Sequence, residues 1–219
     1  NELGKVYAPA LAVQAGPNAF AEALAGLEPI ARSPETASAA ARWLARGQAD
    51  YADFFAPPPQ PSPVDMAAVM AFLTKRLPED VVLTNGAGNF TVWPNKFFRF
   101  GPRARLLAPQ SGAMGYGLPA AIAAKVADPE RCVVCFAGDG DFQMNCQELA
   151  TARQAGAQPI ILVLNNGIYG TIRAHQETHF PGRVSYTDMV SPDFAALARA
   201  YGFHGERVES TADFEAAFE

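Results

Sequence analysis

The sequence predicts an α/β protein, a doubly wound parallel sheet with helices on both faces. Three observations predict it. CVVCFA (132–137) and PIILVL (159–164) are apolar throughout, as strands covered on both faces are. Segments with helical apolar spacing lie before, between and after them. Gly138-Asp139-Gly140 and Asn165-Asn166 follow these two strands directly, at the carboxyl ends where such sheets open their crevices.

Taken in order, Ala10 to Val13 reads as a short strand, followed by Gly16-Pro17 and a helix ending near Leu27. Residues 35–55 are Ala-rich and helical in pattern. The first 55 residues read as the remnant of a preceding domain. Residues 56–63, with five prolines between Pro57 and Pro63, read as a stiff extended linker. A ligand for a proline-binding module is the alternative. A larger domain then runs from 64 to 219. Ser62-Pro63-Val64-Asp65 reads as its first helix start, with Ser62 as cap. Met66, Val69, Met70, Leu73 and Leu77 follow at helical spacing.

Val81-Val82-Leu83 reads as a strand with Thr84-Asn85-Gly86 as its exit, and Leu118 to Ala127 as a helix. Phe142, Cys146, Leu149 and Ala150 mark one face of a helix that stops at Gly156. Ser191-Pro192 opens another helix ending at Gly202, a short strand lies near Gly205–Val208, and Ser210 with Asp213 caps a last helix. The chain opens at Asn1 and closes at Glu219 within that helix, which reads as a piece of a longer polypeptide.

Bulk properties narrow the function. Of the 219 residues, 49% are apolar and 18% charged, enough for a real core. The net charge is −5 and no basic block stands out, so nucleic acid is not an expected partner. No apolar run reaches the roughly 20 residues of a membrane span, and no signal peptide is evident, so no membrane association is expected and the expected location is the cytoplasm. The three cysteines, Cys132, Cys135 and Cys146, are too few for a disulfide scaffold and fit a reducing compartment. Cys132 and Cys135 form a CxxC, but residues three apart on a strand point to opposite faces, so they read as packing residues.

The chemistry gathers at the two strand ends. Gly138 and Gly140 let backbone approach a ligand closely. A helix beginning near Phe142 offers unpaired N–H groups suited to phosphate. Asp139 and Asn166 are hard oxygen donors, suited to Mg²⁺ bridging phosphate oxygens. Either motif alone is satisfied by a simple turn. Their spacing, with residues 141–164 between them, and their placement on neighbouring strands point to a shared diphosphate site. A non-catalytic nucleotide-binding module is the competing reading, though GAGNF lacks the third glycine of a dinucleotide fingerprint.

The stretch GDGDFQMNCQELATARQAG, with PIILVLNNGIYG after it, resembles the diphosphate motif of thiamine-diphosphate-dependent enzymes, in the branch of acetohydroxyacid synthases and 2-oxo-acid decarboxylases. AGNFTVW (87–93) and SGAMGYGLPAAIAA (111–124) are similar to that branch in place and order. The resemblance covers about 62–219, with 1–55 resembling the end of the family's central domain.

The resemblance implies thiamine diphosphate and Mg²⁺ as cofactors and a 2-oxo acid as substrate. It implies that Asp139, the Asn166 side chain and the Ile168 carbonyl bind the metal. Gly138, Gly140, Asp141, Phe142, Tyr169 and Gly170 would surround the diphosphate, with Gly88, Asn89 and Phe90 as the opposite wall. The Gly112 carbonyl would take a hydrogen bond from the aminopyrimidine, and Met114 would be the wedge that bends the cofactor; without the family, Met114 reads as a core methionine. His175 is implied as a substrate contact or proton donor on a lid, the alternatives for His175, Glu177 and His179 being a metal trio or plain surface. The family's activating glutamate belongs to a separate domain, usually of a partner subunit in a homodimer or tetramer, and Glu148 does not map to it. Asp141 departs from the small or hydroxylated residue more usual after GDG, and its side chain is expected to turn away from the diphosphate. Asn89-Phe90 and His175 stand where acetohydroxyacid synthases carry a glutamine-histidine pair and a tryptophan.

Overall fold

A computed structural model describes residues 3–57, 60 and 62–219. Pro58, Pro59 and Pro61, which carry much of the expected linker, lie outside the described residues. The chain divides into two compact units, Asn1–Asp53 and Phe54–Glu219. In the first, Pro17 opens helix α1 (Pro17–Ala25), and helix α2 begins at Pro34 and ends at Phe54. Proline suits a helix start because its missing N–H has no partner there anyway. No strand forms at Ala10–Val13: Leu11 is 80% exposed, and among the described residues no second strand pairs with it. Periodicity cannot supply a partner.

Among the described residues the second unit is built on four parallel strands in the order β2-β1-β3-β4, comprising β1 (Val82–Asn85), β2 (Arg105–Leu107), β3 (Val133–Gly138) and β4 (Ile160–Leu164). β3 is central and every residue of it is buried. Its side chains alternate between two cores. Val133, Cys135 and Ala137 join Leu118, Ala121 and Ile122 of helix α4 (Gly117–Ala127), with Leu149 and Ala152 of helix α6 (Leu149–Ala155). Val134 and Phe136 join Val69, Met70 and Leu73 of helix α3 (Met66–Arg76), with Phe98 and Phe214. The expected doubly wound arrangement is therefore present. Cys135 packs in the first core and Cys132 against the second, on opposite sides of the sheet.

Several local expectations are corrected. The cap of α3 is Asp65, whose carboxylate accepts from the Ala67 and Ala68 amides; Ser62 instead accepts from Val64. A carboxylate adjacent to the first turn outcompetes a hydroxyl three residues earlier. β2 is a strand the sequence reading missed, three residues long and led by a charged Arg105. The helix expected after Gly-Asp-Gly is broken into helix α5 (Asp139–Gln143), a 3₁₀ turn at Cys146–Glu148, and α6. Asn145 causes the break: its side-chain amide donates to the Gly115 carbonyl. Ala150, expected on the buried face, is exposed, while Ala152 is buried. α6 does stop at Gly156, in the left-handed conformation at φ 68°.

Helix α7 (Gly170–His179) follows β4, then helix α8 (Phe194–Ala200), capped by Asp193 and not by Ser191. Residues 205–208 form no strand. Helix α9 (Thr211–Phe218) has Ser210 at its cap position, but the hydroxyl bonds the Asp213 carboxylate and not a backbone amide. β4 is half-buried, and Ile160 is 37% exposed. An all-apolar run is thus compatible with an edge strand.

Candidate functional site

The strand order reverses direction of travel between β1 and β3, and the loops leaving β1, β3 and β4 meet at their carboxyl ends. Asp139 begins α5 itself, so the expected helix start near Phe142 moves back three residues, onto the Gly-Asp-Gly turn. Asp139 is 3% exposed. Its Oδ1 accepts from the Gly140 amide at 2.9 Å, and its Oδ2 from the Gly167 amide at 2.7 Å and the Ser191 hydroxyl at 3.3 Å. The Gly167 bond joins the Gly-Asp-Gly turn to the Asn165-Asn166 loop. In that loop the Asn166 side-chain oxygen accepts from the Ile168 amide at 3.2 Å.

The glycines are required sterically. A Cβ on Gly138 would lie 2.8 Å from the Phe90 ring, and one on Gly140 would lie 2.7 Å from the Tyr169 ring and 3.1 Å from the Met189 sulfur. One aromatic ring therefore covers each glycine of the turn. A Cβ on Gly170 would meet the side-chain amides of both Asn166 and Asn89 at ordinary contact distances. The Thr171 hydroxyl donates to the Asn89 side-chain oxygen at 2.8 Å, tying α7 to the Gly88–Phe90 loop. Thus Gly88 to Phe90, Gly138 to Phe142 and Asn166 to Gly170 are brought together.

Asp141 is buried, 3% exposed, and points into the protein. Its Oδ1 accepts from the Ala87 amide at 3.1 Å and the Gly115 amide at 2.8 Å. Burial pushes its carboxyl up from the usual range, and the two amide bonds oppose that shift. Phe142 packs in the first core, edge-on to Phe194. Gly112, at φ 67°, is exposed, and Met114 is half-buried. His175 lies on the exposed side of α7, its ring stacked on His179. Glu177 is engaged by Arg173 at 2.9 Å, and among the described residues no cluster of three or more His, Cys, Asp or Glu is arranged to hold a metal. Glu148 accepts from the Thr151 hydroxyl.

Sequence reasoning missed Ser191, Met189 and Asn145. Met189 is held by its amide bonding the Gly167 carbonyl at 2.7 Å, and Thr187 by its carbonyl accepting from Tyr169 at 2.8 Å. An antiparallel bridge, Ile168 to Asp188, lies between. Nothing local in the sequence marks this return of the chain.

The donor set fits a magnesium-bound diphosphate. Asp139 and Asn166 supply hard oxygens from loops already joined by one hydrogen bond.

Residues 86–219 match the family described as thiamine pyrophosphate enzyme, C-terminal TPP binding domain. The acetolactate synthase large subunit of Parasynechococcus marenigrum is 40% identical over 134 residues, which are 60% of this chain and 22% of that protein. The acetolactate synthase isozyme 2 large subunit of Escherichia coli is 38% identical over 149 residues, 67% of this chain and 27% of that protein. The chain thus spans between about a fifth and just over a quarter of such relatives. A solved Rhodococcus jostii thiamine diphosphate-dependent 4-hydroxybenzoylformate decarboxylase superposes with a TM-score of 0.68 at 30% identity, over 75% of this chain and 31% of that one. Motif, fold and relatives agree: the chain belongs to the thiamine pyrophosphate enzymes and carries their C-terminal cofactor-binding domain.

Proposed function

We propose that this chain is the diphosphate- and magnesium-binding part of an acetolactate-synthase-like enzyme acting on 2-oxo acids. The observation that carries the reading is the Asp139–Gly167 hydrogen bond, which draws the Gly-Asp-Gly and Asn-Asn loops into one site at adjacent strand ends. Asp139, Asn166 and the Ile168 carbonyl would hold Mg²⁺. Gly138, Gly140, Tyr169 and Gly170 would surround the diphosphate mostly through backbone, the Cβ sides of Gly138 and Gly140 being filled by the Phe90 and Tyr169 rings. Gly88, Asn89 and Phe90 would close the opposite side, and Gly112 and Met114 would orient the aminopyrimidine. His175 on α7 would serve the substrate as contact or proton donor. Once bound, thiamine diphosphate supplies the electron sink at which a 2-oxo acid loses CO₂.

Residues 1–55 would be the end of a central domain, and 56–63 the linker that follows it. The activating glutamate would come from a pyrimidine-binding domain of a second subunit, in a homodimer or tetramer, so residues 1–219 alone would show no turnover. A transferase in the cytoplasm is the first expectation. A decarboxylase or lyase is the second, favoured by Asn89-Phe90, by His175 and by the Rhodococcus neighbour. With pyruvate, acetolactate supports the first and free aldehyde the second.

Calorimetric titration of the full-length protein with thiamine diphosphate tests the cofactor site. Binding should require Mg²⁺, vanish in EDTA and vanish in Asp139→Ala. Binding indifferent to both would overturn the assignment.

A further inference from the structure

Asp141 lies between two loops that the proposed function gives separate tasks. The loop leaving β1 carries Gly88 to Phe90, the wall beside the diphosphate. The turn before α4 carries Gly112 and Met114, beside the aminopyrimidine. These two segments come from different parts of the chain, and among the described residues the Asp141 carboxylate bonds both: one oxygen accepts from Ala87 on the first and from Gly115 on the second. The space around that oxygen is closed. A Cβ on Gly86 would sit 1.8 Å from it, so only glycine fits there. Gly115, at φ 84°, has its own carbonyl held by Asn145, two residues beyond α5. The turn is therefore gripped on both its N–H and its C=O by residues that follow Gly-Asp-Gly.

We propose that Asp141 is a positioning residue which fixes the spacing of the diphosphate wall and the pyrimidine wedge by accepting both amides at one oxygen. The inference rests on the cofactor reading above. A shorter hydroxyl side chain at this position could not span to both amides in the same way, which gives the chain's departure at 141 a physical purpose. The acceptor geometry does the positioning, so a neutral side chain of the same shape preserves it. The Asp141→Asn substitution keeps a side-chain oxygen facing the same two donors. Asp141→Ala removes the acceptor of the buried Gly115 amide and of the half-buried Ala87 amide.

The test compares the full-length wild-type protein with Asp141→Asn and Asp141→Ala. Three readouts are needed: thiamine diphosphate dissociation constant at saturating Mg²⁺, thermal midpoint without cofactor, and amide exchange at Ala87 and Gly115. Asp141→Asn should bind the cofactor within about threefold of wild type. Asp141→Ala should bind it about tenfold or more weakly, with exchange rising at Ala87 and Gly115 together while β3 stays protected. Wild-type affinity in the alanine variant overturns the inference. Should that variant fail to fold, the asparagine variant decides alone: retained affinity and retained protection at both amides support the inference, and a tenfold loss overturns it. A wild-type protein that binds no thiamine diphosphate removes the cofactor reading, and this inference with it; variant differences cannot produce that result.

Discussion

The two strand ends that form the site are built differently. β3 is central and wholly buried, and the turn after it remains buried through Phe142. Among the described residues β4 lies at the edge of the sheet, half-buried, and Asn165 and Asn166 after it are exposed. One half of the site is thus part of the core, and the other is fastened to it by hydrogen bonds from Gly167 and by the returning segment at Thr187–Met189. Burial fixes the turn whether or not a ligand is present. The exposed loop is held by hydrogen bonds and not by burial, so ligand binding should order that half more than the first.

The largest expected difference is in stability. Phe136, fully buried on β3, should cost about 3–5 kcal/mol when changed to alanine, whereas Leu162 on β4 should cost no more than about 2 kcal/mol. Chemical denaturation reads both, and equal losses would break the comparison. Next comes a split between stability and binding. Gly140→Ala should destabilise by about 1–3 kcal/mol, because its methyl group must displace Tyr169. Asn166→Ala should change stability by less than about 0.5 kcal/mol yet abolish magnesium-dependent cofactor binding. A destabilised Asn166→Ala variant with intact binding would reverse the roles assigned to the two halves.

The smallest effect concerns the thiols. Burial pushes the Cys135 thiol up to about 12 and raises that of Cys132 as well. A raised thiol is protonated, and so unreactive, at every pH below its new value. A thiol reagent near pH 8 should modify Cys146 first, Cys132 more slowly, and Cys135 only on unfolding. Early labelling of Cys135 would mean that β3 opens more readily than its burial implies.

The strands that were legible in the sequence are those whose apolar runs are dense enough to be buried: Val82–Leu83, Val133–Ala137 and Ile160–Leu164. Arg105–Leu107 escaped notice because an edge strand of three residues carries no period. Ala10–Val13 and residues 205–208 had the composition of strands but no pairing, which a linear pattern cannot reveal. In the site, Asp139 and Asn166 could be placed together because parallel neighbours end at a common edge. Ser191 and Met189 could not, since the chain reaches the site there by folding back from a loop. The break at Asn145 depends on a bond to Gly115, thirty residues earlier, and helical periodicity does not register it.

That fold-back has one more consequence. The bonds from Tyr169 to Thr187 and from Met189 to Gly167 join backbone to backbone, so most substitutions leave their donors and acceptors in place. Everything between them, including His175 and the exposed Phe180 and Tyr186, is an excursion closed at its base. Such an excursion can change its sequence while the Asn165-Asn166 loop beneath it keeps its shape. Sequence change in this stretch and the backbone shape at its base are thereby separable, free to diverge at different rates within one short stretch of chain.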